Sequence, residues 1–111
     1  KLEKLVCYVS QLNALDVSSL LNLKHLLCGS NNLSTLDVSG LFSLVDLDCA
    51  YNQIADLEVT RLVNLKTLYC ENNQLTKIEV SSLINLESFD CGYNQITFLD
   101  LSNVVNLKLL N

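Results

Sequence analysis

The spacing of the cysteines is the feature of this sequence that most limits its fold. The chain has 111 residues and five cysteines, and each cysteine follows the previous one after 21 residues. They are Cys7, Cys28, Cys49, Cys70 and Cys91. A fixed period of this length indicates a repeat protein, in which each unit packs mainly against its two neighbours.

The apolar residues keep the same period as the cysteines. The consensus of the units is L-x-x-L-x-C-x-x-N-x-L-x-x-L-D-V-S-x-L-x-N, and no insertion interrupts it. We therefore interpret the chain as one repeat array with units 2–22, 23–43, 44–64, 65–85 and 86–106 and a partial unit 107–111. Polar terminal units, which repeat arrays need for solubility, are not evident. We expect an uncapped piece of a longer protein, with adjoining repeats or end-to-end stacking on another chain.

The segment x-L-x-C-x alternates polar and apolar residues, which predicts a short strand with one buried face. A segment that is rich in asparagine follows each predicted strand and favours a turn. A unit of 21 residues has room for one strand and a return path, but not for a helix of several turns. We therefore expect a parallel sheet of five to six short strands on the concave side. The convex side is predicted to be extended or to form 3₁₀ turns, with little or no α-helix.

This pattern resembles the leucine-rich-repeat family. The family signature L-x-x-L-x-L-x-x-N/C-x-L is matched by Leu23-Leu26-Cys28-Asn31-Leu33, Leu44-Leu47-Cys49-Asn52-Ile54, Leu65-Leu68-Cys70-Asn73-Leu75 and Leu86-Phe89-Cys91-Asn94-Ile96. The first unit departs from it at Ser10, where asparagine is expected. The resemblance implies a solenoid of α/β type, wound as a right-handed superhelix, that binds ligands, usually proteins, on its concave face.

The length of the unit and its second half, L-x-x-L-D-V-S, look most like short bacterial repeats of surface and secreted proteins. Internalin-like repeats are one residue longer. The resemblance therefore favours a bacterial protein located outside the cell or at its surface, and a cytoplasmic location stays open.

An asparagine column follows the strands, at Asn31, Asn52, Asn73 and Asn94. A side-chain amide both donates and accepts, so it can satisfy backbone groups buried at a tight corner. We interpret this column as structural.

The cysteine column occupies an inward position that a leucine holds in the family signature. Three interpretations are open: buried free thiols, disulfides and a metal site. Zinc sites use paired spacings such as C-x₂-C, and parallel Cβ vectors on neighbouring strands suit a disulfide poorly. We therefore expect buried free thiols that pack as small apolar groups, with no metal and no other cofactor.

An acidic column lies on the return segment, at Asp16, Asp37, Glu58, Glu79 and Asp100. Stacked carboxylates raise the possibility of calcium binding. The alternative, which we favour, is that each carboxylate accepts hydrogen bonds from a nearby backbone N–H or from the hydroxyl two residues later.

Candidate binding residues are those at which the repeat varies on the outward side of the strands. They are Tyr8, His25, Asp46, Asp48, Tyr51, Tyr69, Glu71, Asp90 and Tyr93. Tyr69, predicted to lie between Asp48 and Asp90, is the most distinctive because tyrosine is a frequent anchor at interfaces. The surrounding acids favour a basic protein partner.

Several classes of function are disfavoured by the sequence. The net charge of −5 argues against nucleic-acid binding. The sequence contains no run of about 18 apolar residues, so we expect no membrane insertion. His25 is the single histidine and has no serine or cysteine partner on its face, so we expect no enzymatic activity. A protein-interaction module is the favoured function. A structural spacer without a ligand and a glycan-binding repeat are the alternatives.

Overall fold

The computed structural model describes all 111 residues and contains six short strands. These are β1 (Lys4–Val6), β2 (His25–Leu27), β3 (Asp46–Asp48), β4 (Thr67–Tyr69), β5 (Ser88–Asp90) and β6 (Leu109–Leu110). They form one parallel sheet in chain order, and paired residues are 21 positions apart. The predicted solenoid with a parallel sheet and no α-helix is confirmed.

No helix in this structure could cross a membrane.

The middle residues of β2, β3, β4 and β5 form the inner layer of the sheet. Leu26, Leu47, Leu68 and Phe89 are fully buried, whereas the residues on either side of them are only half-buried. This alternation follows from the strand geometry, in which successive side chains point to opposite faces.

The return path of each unit reverses direction through two successive tight turns. In the second unit the N–H of Leu41 donates to the carbonyl of Val38, and the N–H of Leu44 donates to the carbonyl of Leu41, both at 3.0 Å. The same pair of hydrogen bonds recurs in the other units. These turns return the chain to the sheet within seven residues, so the unit needs no helix.

The apolar columns of the stacked units form one continuous core of 25 buried residues. The central units are fully covered, whereas equivalent side chains near the two ends, such as Leu5 and Leu107, are only partly buried. Full burial of a leucine stabilises a fold by about 1.5–3 kcal/mol. The central units therefore contribute most of the hydrophobic stabilisation.

The asparagine column connects each turn to the preceding unit. Oδ1 of Asn52 accepts from the N–H of Leu33 at 3.0 Å. Its Nδ2 donates to the carbonyls of Cys28, Cys49 and Ala50, at 3.2, 3.0 and 3.3 Å. Asn31, Asn73 and Asn94 make the equivalent bonds. One side chain thus serves backbone groups of two adjacent units.

The first turn is built differently because Ser10 replaces asparagine. The Ser10 hydroxyl donates to the carbonyl of Tyr8 at 3.0 Å and reaches no other unit. Val9 and Gln11 both have positive φ, 51° and 55°, whereas each later turn has one such residue. A positive φ at a β-branched valine is strained, so this turn is less favourable than the turns that contain asparagine.

All five cysteines are free, and burial differs along the column. Cys28, Cys49 and Cys70 are fully buried. Burial raises the pKa of Cys28 to about 12, and it also raises the pKa of Cys49 and Cys70 well above the usual range. Cys7 and Cys91 are only partly buried, unlike the expected buried thiols, because each has a complete neighbouring unit on one side only.

The acidic column makes short local hydrogen bonds. Oδ1 of Asp37 accepts from the backbone N–H of Ser39 at 3.0 Å and from its hydroxyl at 2.7 Å. Asp16 and Glu58 bind the equivalent residue in both ways, and Asp100 binds the backbone N–H of Ser102. These bonds hold the pKa of all four carboxyls below the usual value. Glu79 is the member without such a bond.

Candidate binding surface

The candidate residues lie together on the solvent side of the sheet. We call this surface the sheet face and define it by three positions of each unit. These are the first and third residues of the strand and the second residue after it, which are Asp46, Asp48 and Ala50 for β3. Seven of the nine candidates occupy these positions, and Tyr51 and Tyr93 lie beside them at the edge.

Tyr69 occupies the centre of the sheet face between two carboxylates. In the register of the sheet it pairs with Asp48 of β3 on one side and with Asp90 of β5 on the other. Adjacent parallel strands are about 4.8 Å apart, so the ring and both carboxylates lie within one patch.

Tyr8 and Asp48 are joined to one another. The Tyr8 hydroxyl donates to Oδ2 of Asp48 at 2.7 Å, and Oδ1 of Asp48 accepts from the N–H of Ala50 at 3.1 Å. Burial, together with this hydrogen bond, raises the pKa of Tyr8 well above the usual range. These two candidates therefore form one fixed unit and are not independent contacts.

Gly29 makes this connection possible because it lies between the two side chains. A Cβ at Gly29 would lie 3.1 Å from both Tyr8 Cε1 and Asp48 Oδ1. Sequence reasoning did not identify this pair. The indication in the sequence is Gly29, which occupies the position of Tyr8 in the next unit. A side chain at Gly29 would fill the space through which Tyr8 reaches Asp48.

His25 and Asp46 form a second pair across neighbouring strands. Nδ1 of His25 and Oδ2 of Asp46 are 2.6 Å apart at the start of β2 and β3. Both side chains are about one-third exposed. This contact joins the first positions of two neighbouring strands on the sheet face.

The carboxylate of Asp90 accepts hydrogen bonds from two residues that follow it in the chain. Its Oδ1 accepts from the N–H of Gly92 at 2.9 Å, and its Oδ2 accepts from Nδ2 of Asn111 at 3.0 Å. The carboxylate beside Tyr69 on this side is therefore fixed in position.

Glu71 differs from its acidic neighbours in having an unsatisfied oxygen. Oε2 of Glu71 is buried and has no hydrogen-bond partner. Burial raises the pKa of this carboxyl, and Asp90 and Asp48 raise it further. A carboxylate in such a place is destabilising unless a donor reaches it. Oε2 of Glu71 is thus enclosed by the protein, and an incoming donor reaches it only when the side chain rotates toward the solvent.

Tyr51 and Tyr93 project from the turn that follows the strand. Both have positive φ, 55° and 52°, and their exposed fractions are 56% and 82%. Ser30 and Asn72 have the same backbone conformation at the equivalent position, so this conformation belongs to the turn and does not depend on tyrosine. Because the fold does not need these two rings, they are available for contacts with a partner.

Comparison with known proteins gives a consistent result. A family model described as "Leucine Rich repeats (2 copies)" matches residues 42–83. None of the curated proteins matches the chain.

Among solved structures, the chain is similar to the functional domain of InlJ from Listeria monocytogenes, which is described as including a cysteine ladder. The identity is 36%, the TM-score is 0.97, and the match covers 98% of this chain and 24% of that one. Internalin C2 from the same organism is 31% identical with a TM-score of 0.81, and 86% of this chain and 46% of that one are covered.

A leucine-rich-repeat protein from Leptospira interrogans is 31% identical with a TM-score of 0.79, and 86% of this chain and 26% of that one are covered. The chain thus spans between a quarter and a half of the length of these proteins. Internalin-like repeats are one residue longer than the units of this chain, but the chain is still similar in fold to internalin C2.

Proposed function

Because the chain belongs to the leucine-rich-repeat proteins, we propose that it is a non-catalytic module that binds a protein partner through the sheet face. The family and the similar internalins suggest a protein-interaction module. Our proposal adds the surface and the chemistry of the partner, which rest on the residues of this chain alone.

The centre of the proposed site is Tyr69 together with Asp48, Glu71 and Asp90. A tyrosine gives a large, rigid contact area with a polar tip, which suits it to be an interface anchor. Tyr8 and Asn111 hold the flanking carboxylates of Asp48 and Asp90. The patch is thus partly pre-organised, which reduces the entropy lost on binding.

The observation that carries the proposal is the unsatisfied Oε2 of Glu71. After rotation of the Glu71 side chain toward the solvent, a lysine or arginine of a partner would donate a charge-assisted hydrogen bond to this oxygen and would offset the repulsion from Asp48 and Asp90. The same charges would attract a basic partner over a distance and would disfavour an acidic one. We therefore infer that the partner presents a basic side chain to Glu71 and an apolar group to the Tyr69 ring.

We extend the proposal to a bacterial protein that acts outside the cell or at its surface, as the similarity to Listeria and Leptospira proteins supports. The buried cysteines are compatible with an oxidising environment. Since the thiolate is the reactive form, the raised pKa of Cys28, Cys49 and Cys70 protects them from oxidation.

A test is selection of a random peptide library displayed on phage against the immobilised chain. We expect the selected peptides to be rich in lysine or arginine and to contain apolar residues. Binding should fall by about tenfold, equivalent to about 1.4 kcal/mol, in both Tyr69→Ala and Glu71→Gln.

The matched control is Asp56→Asn, which removes one exposed carboxylate from the return segment. Peptides that are predominantly acidic, or that lose as much affinity with Asp56→Asn as with Glu71→Gln, would contradict the proposal. A library that yields no specific peptide would support a structural spacer instead.

A further inference from the structure

A second surface of the molecule is an apolar ridge along the edge where the return path enters the sheet. It is formed by one exposed apolar residue from each unit, and these residues have the same 21-residue spacing as the strands. The apolar ridge consists of Leu21, Phe42, Val63, Ile84 and Val105. Between 46% and 79% of each residue is exposed. A soluble monomer rarely shows a continuous apolar row of this kind without a function.

The ridge is exposed because of the turn that carries it. In the second unit the turn is closed by the N–H of Leu44 and the carbonyl of Leu41, and both of these residues are buried. Phe42 is the first of the two residues between them and points away from the core. The fold needs an apolar residue at Leu41 and Leu44 but not at Phe42, so packing does not explain the five apolar residues of the ridge.

Side-chain amides hold the backbone of the ridge in place. Nδ2 of Asn64 donates to the carbonyl of Phe42 at 3.0 Å, and Asn85 and Asn106 bind the carbonyls of Val63 and Ile84 at 2.9 Å each. Each bond connects one turn to the next unit. The ridge is therefore a rigid surface, which favours binding because little order must be gained.

The spacing of the ridge matches that of an α-helix laid along it. Successive units are about 4.8 Å apart, so five side chains span roughly 19 Å. Apolar side chains on one face of a helix recur once per turn, about every 5.4 Å. A helix of about four turns would thus place one apolar side chain near each gap between neighbouring ridge residues. An extended strand fits less well, because its alternate side chains recur about every 6.6 Å.

The borders of the ridge carry more positive than negative charge. Lys24, Lys66 and Lys108 each lie three residues after a ridge residue, and the Arg61 guanidinium lies 4.7 Å from the centre of the Phe42 ring.

The carboxylates on this border are Glu3 and Glu87. Glu3 lies 3.2 Å from the Lys24 ammonium. Glu87 lies 2.9 Å from Lys108 and 4.0 Å from Lys66. Four cations thus face two carboxylates in a protein whose net charge is −5. This edge favours an acidic ligand, in contrast to the sheet face.

We propose that the apolar ridge is a second binding surface, which takes an amphipathic α-helix of a partner protein with acidic residues along its apolar stripe. This inference concerns a surface separate from the sheet face and does not depend on the function proposed for that face.

Two other occupants fit the ridge less well. In an antiparallel pair of ridges related by a two-fold axis, Arg61 would approach its own copy, and two chains of charge −5 repel one another. An anionic membrane surface would meet the whole molecule, whose net charge is −5, whereas a single helix would meet only the ridge and its cations.

The experiment uses two stapled helical peptides of about 15 residues, each with leucine at positions i, i+4, i+7 and i+11. One carries glutamate and the other lysine beside the leucine stripe. Fluorescence anisotropy should show saturable binding of the glutamate peptide at least about tenfold tighter than of the lysine peptide. Phe42→Ser and Val63→Ser should each weaken it about tenfold, and Tyr69→Ala should not change it. Circular dichroism verifies that each variant is folded.

Equal affinity for the two peptides would overturn the proposal. The absence of saturable binding of the glutamate peptide up to about 1 mM, which corresponds to a binding free energy near −4 kcal/mol, would also overturn it. Sedimentation that reveals a dimer dissociated by Phe42→Ser would assign the ridge to a second copy. Binding to phosphatidylglycerol vesicles that Phe42→Ser abolishes would assign it to a membrane. Either result would also overturn the proposal of a helical partner.

Discussion

The hydroxyl of Tyr8 donates a hydrogen bond to the carboxylate of Asp48 across 2.7 Å, and this bond joins the first unit to the third. The bond passes over Gly29, which belongs to the second unit. The local structure of the sheet face thus depends on a residue that has no side chain.

Gly29→Ala should disturb this arrangement. Its Cβ would lie 3.1 Å from Tyr8 Cε1 and from Asp48 Oδ1, and 3.2 Å from the carbonyl oxygen of Ala50, which cannot move freely. We expect a loss of about 1–3 kcal/mol in the free energy of unfolding, as for other overpacking substitutions. Urea denaturation followed by circular dichroism measures this loss.

Gly40→Ala is the matched control, since a Cβ at Gly40 would meet nothing within 4 Å. It should be neutral or should stabilise the protein by about 0.4–1 kcal/mol, because it lowers the entropy of the unfolded chain. Equal unfolding midpoints for the two alanine variants would refute the described role of Gly29.

Asn52→Ala should destabilise the protein strongly. It removes the acceptor of the Leu33 N–H and the donor for the carbonyls of Cys28, Cys49 and Ala50. Each buried group left without a partner costs about 1–3 kcal/mol, so we expect a total loss of about 2–4 kcal/mol after partial relaxation. The free energy of unfolding in urea at pH 7 provides the measurement.

Asn64→Ala provides the comparison, because it removes a single exposed hydrogen bond to the carbonyl of Phe42. This variant should lose no more than about 1 kcal/mol. If Asn64→Ala were as destabilising as Asn52→Ala, the asparagine column after the strands would have no special structural role.

Glu71→Gln should stabilise the protein at neutral pH. Burial raises the pKa of the Glu71 carboxyl in the folded state above its unfolded value. The protonated form is thus favoured by folding, and this contribution is lost as the pH rises through the folded pKa. Glutamine keeps the neutral form at every pH. The advantage of Glu71→Gln should be present at pH 7 and should disappear below the unfolded pKa, about 4.3.

Urea denaturation of both proteins at pH 3 and pH 7 measures this difference. Glu79→Gln is a suitable control, since Glu79 is an exposed carboxyl of the return segment. A Glu71→Gln variant that is less stable than the parent protein at pH 7 would show that the charged carboxylate has a stabilising partner.

The five thiols should react at different rates with iodoacetamide under native conditions. Cys7 and Cys91 are partly buried, whereas Cys28, Cys49 and Cys70 are fully buried. Since the thiolate is the nucleophile, burial slows the reaction by limiting access and by raising the pKa. Peptide mass spectrometry should find Cys7 and Cys91 alkylated first, with the other three modified only as the chain unfolds. Uniform alkylation of all five would contradict the described core.

Much of the fold could be predicted from the sequence because every unit has the same pattern of residues and therefore predicts the same local structure. The alternation around Leu26 and Leu47 predicted the strands, and the constant 21-residue spacing fixed the register that places Tyr69 between Asp48 and Asp90. Neither result required a contact between units that are not adjacent.

The contacts that the sequence did not predict depend on particular side chains and not on the repeat. The bond between Tyr8 and Asp48 connects residues that are 40 positions apart and needs a glycine between them. The unsatisfied oxygen of Glu71 depends on the local packing around one side chain. The apolar ridge was present as a column in the sequence, but only the structure showed that Phe42 and Val63 point outward.

Mapping of amide chemical shifts shows directly which surface of the protein a partner contacts. A basic peptide selected from the library would be titrated into ¹⁵N-labelled protein. If the partner binds on the sheet face, the amide signals of Asp48, Tyr69, Glu71 and Asp90 shift together with one dissociation constant, while those of Phe42 and Val63 do not. Shifts confined to the apolar ridge or to the return segments would rule out binding on the sheet face.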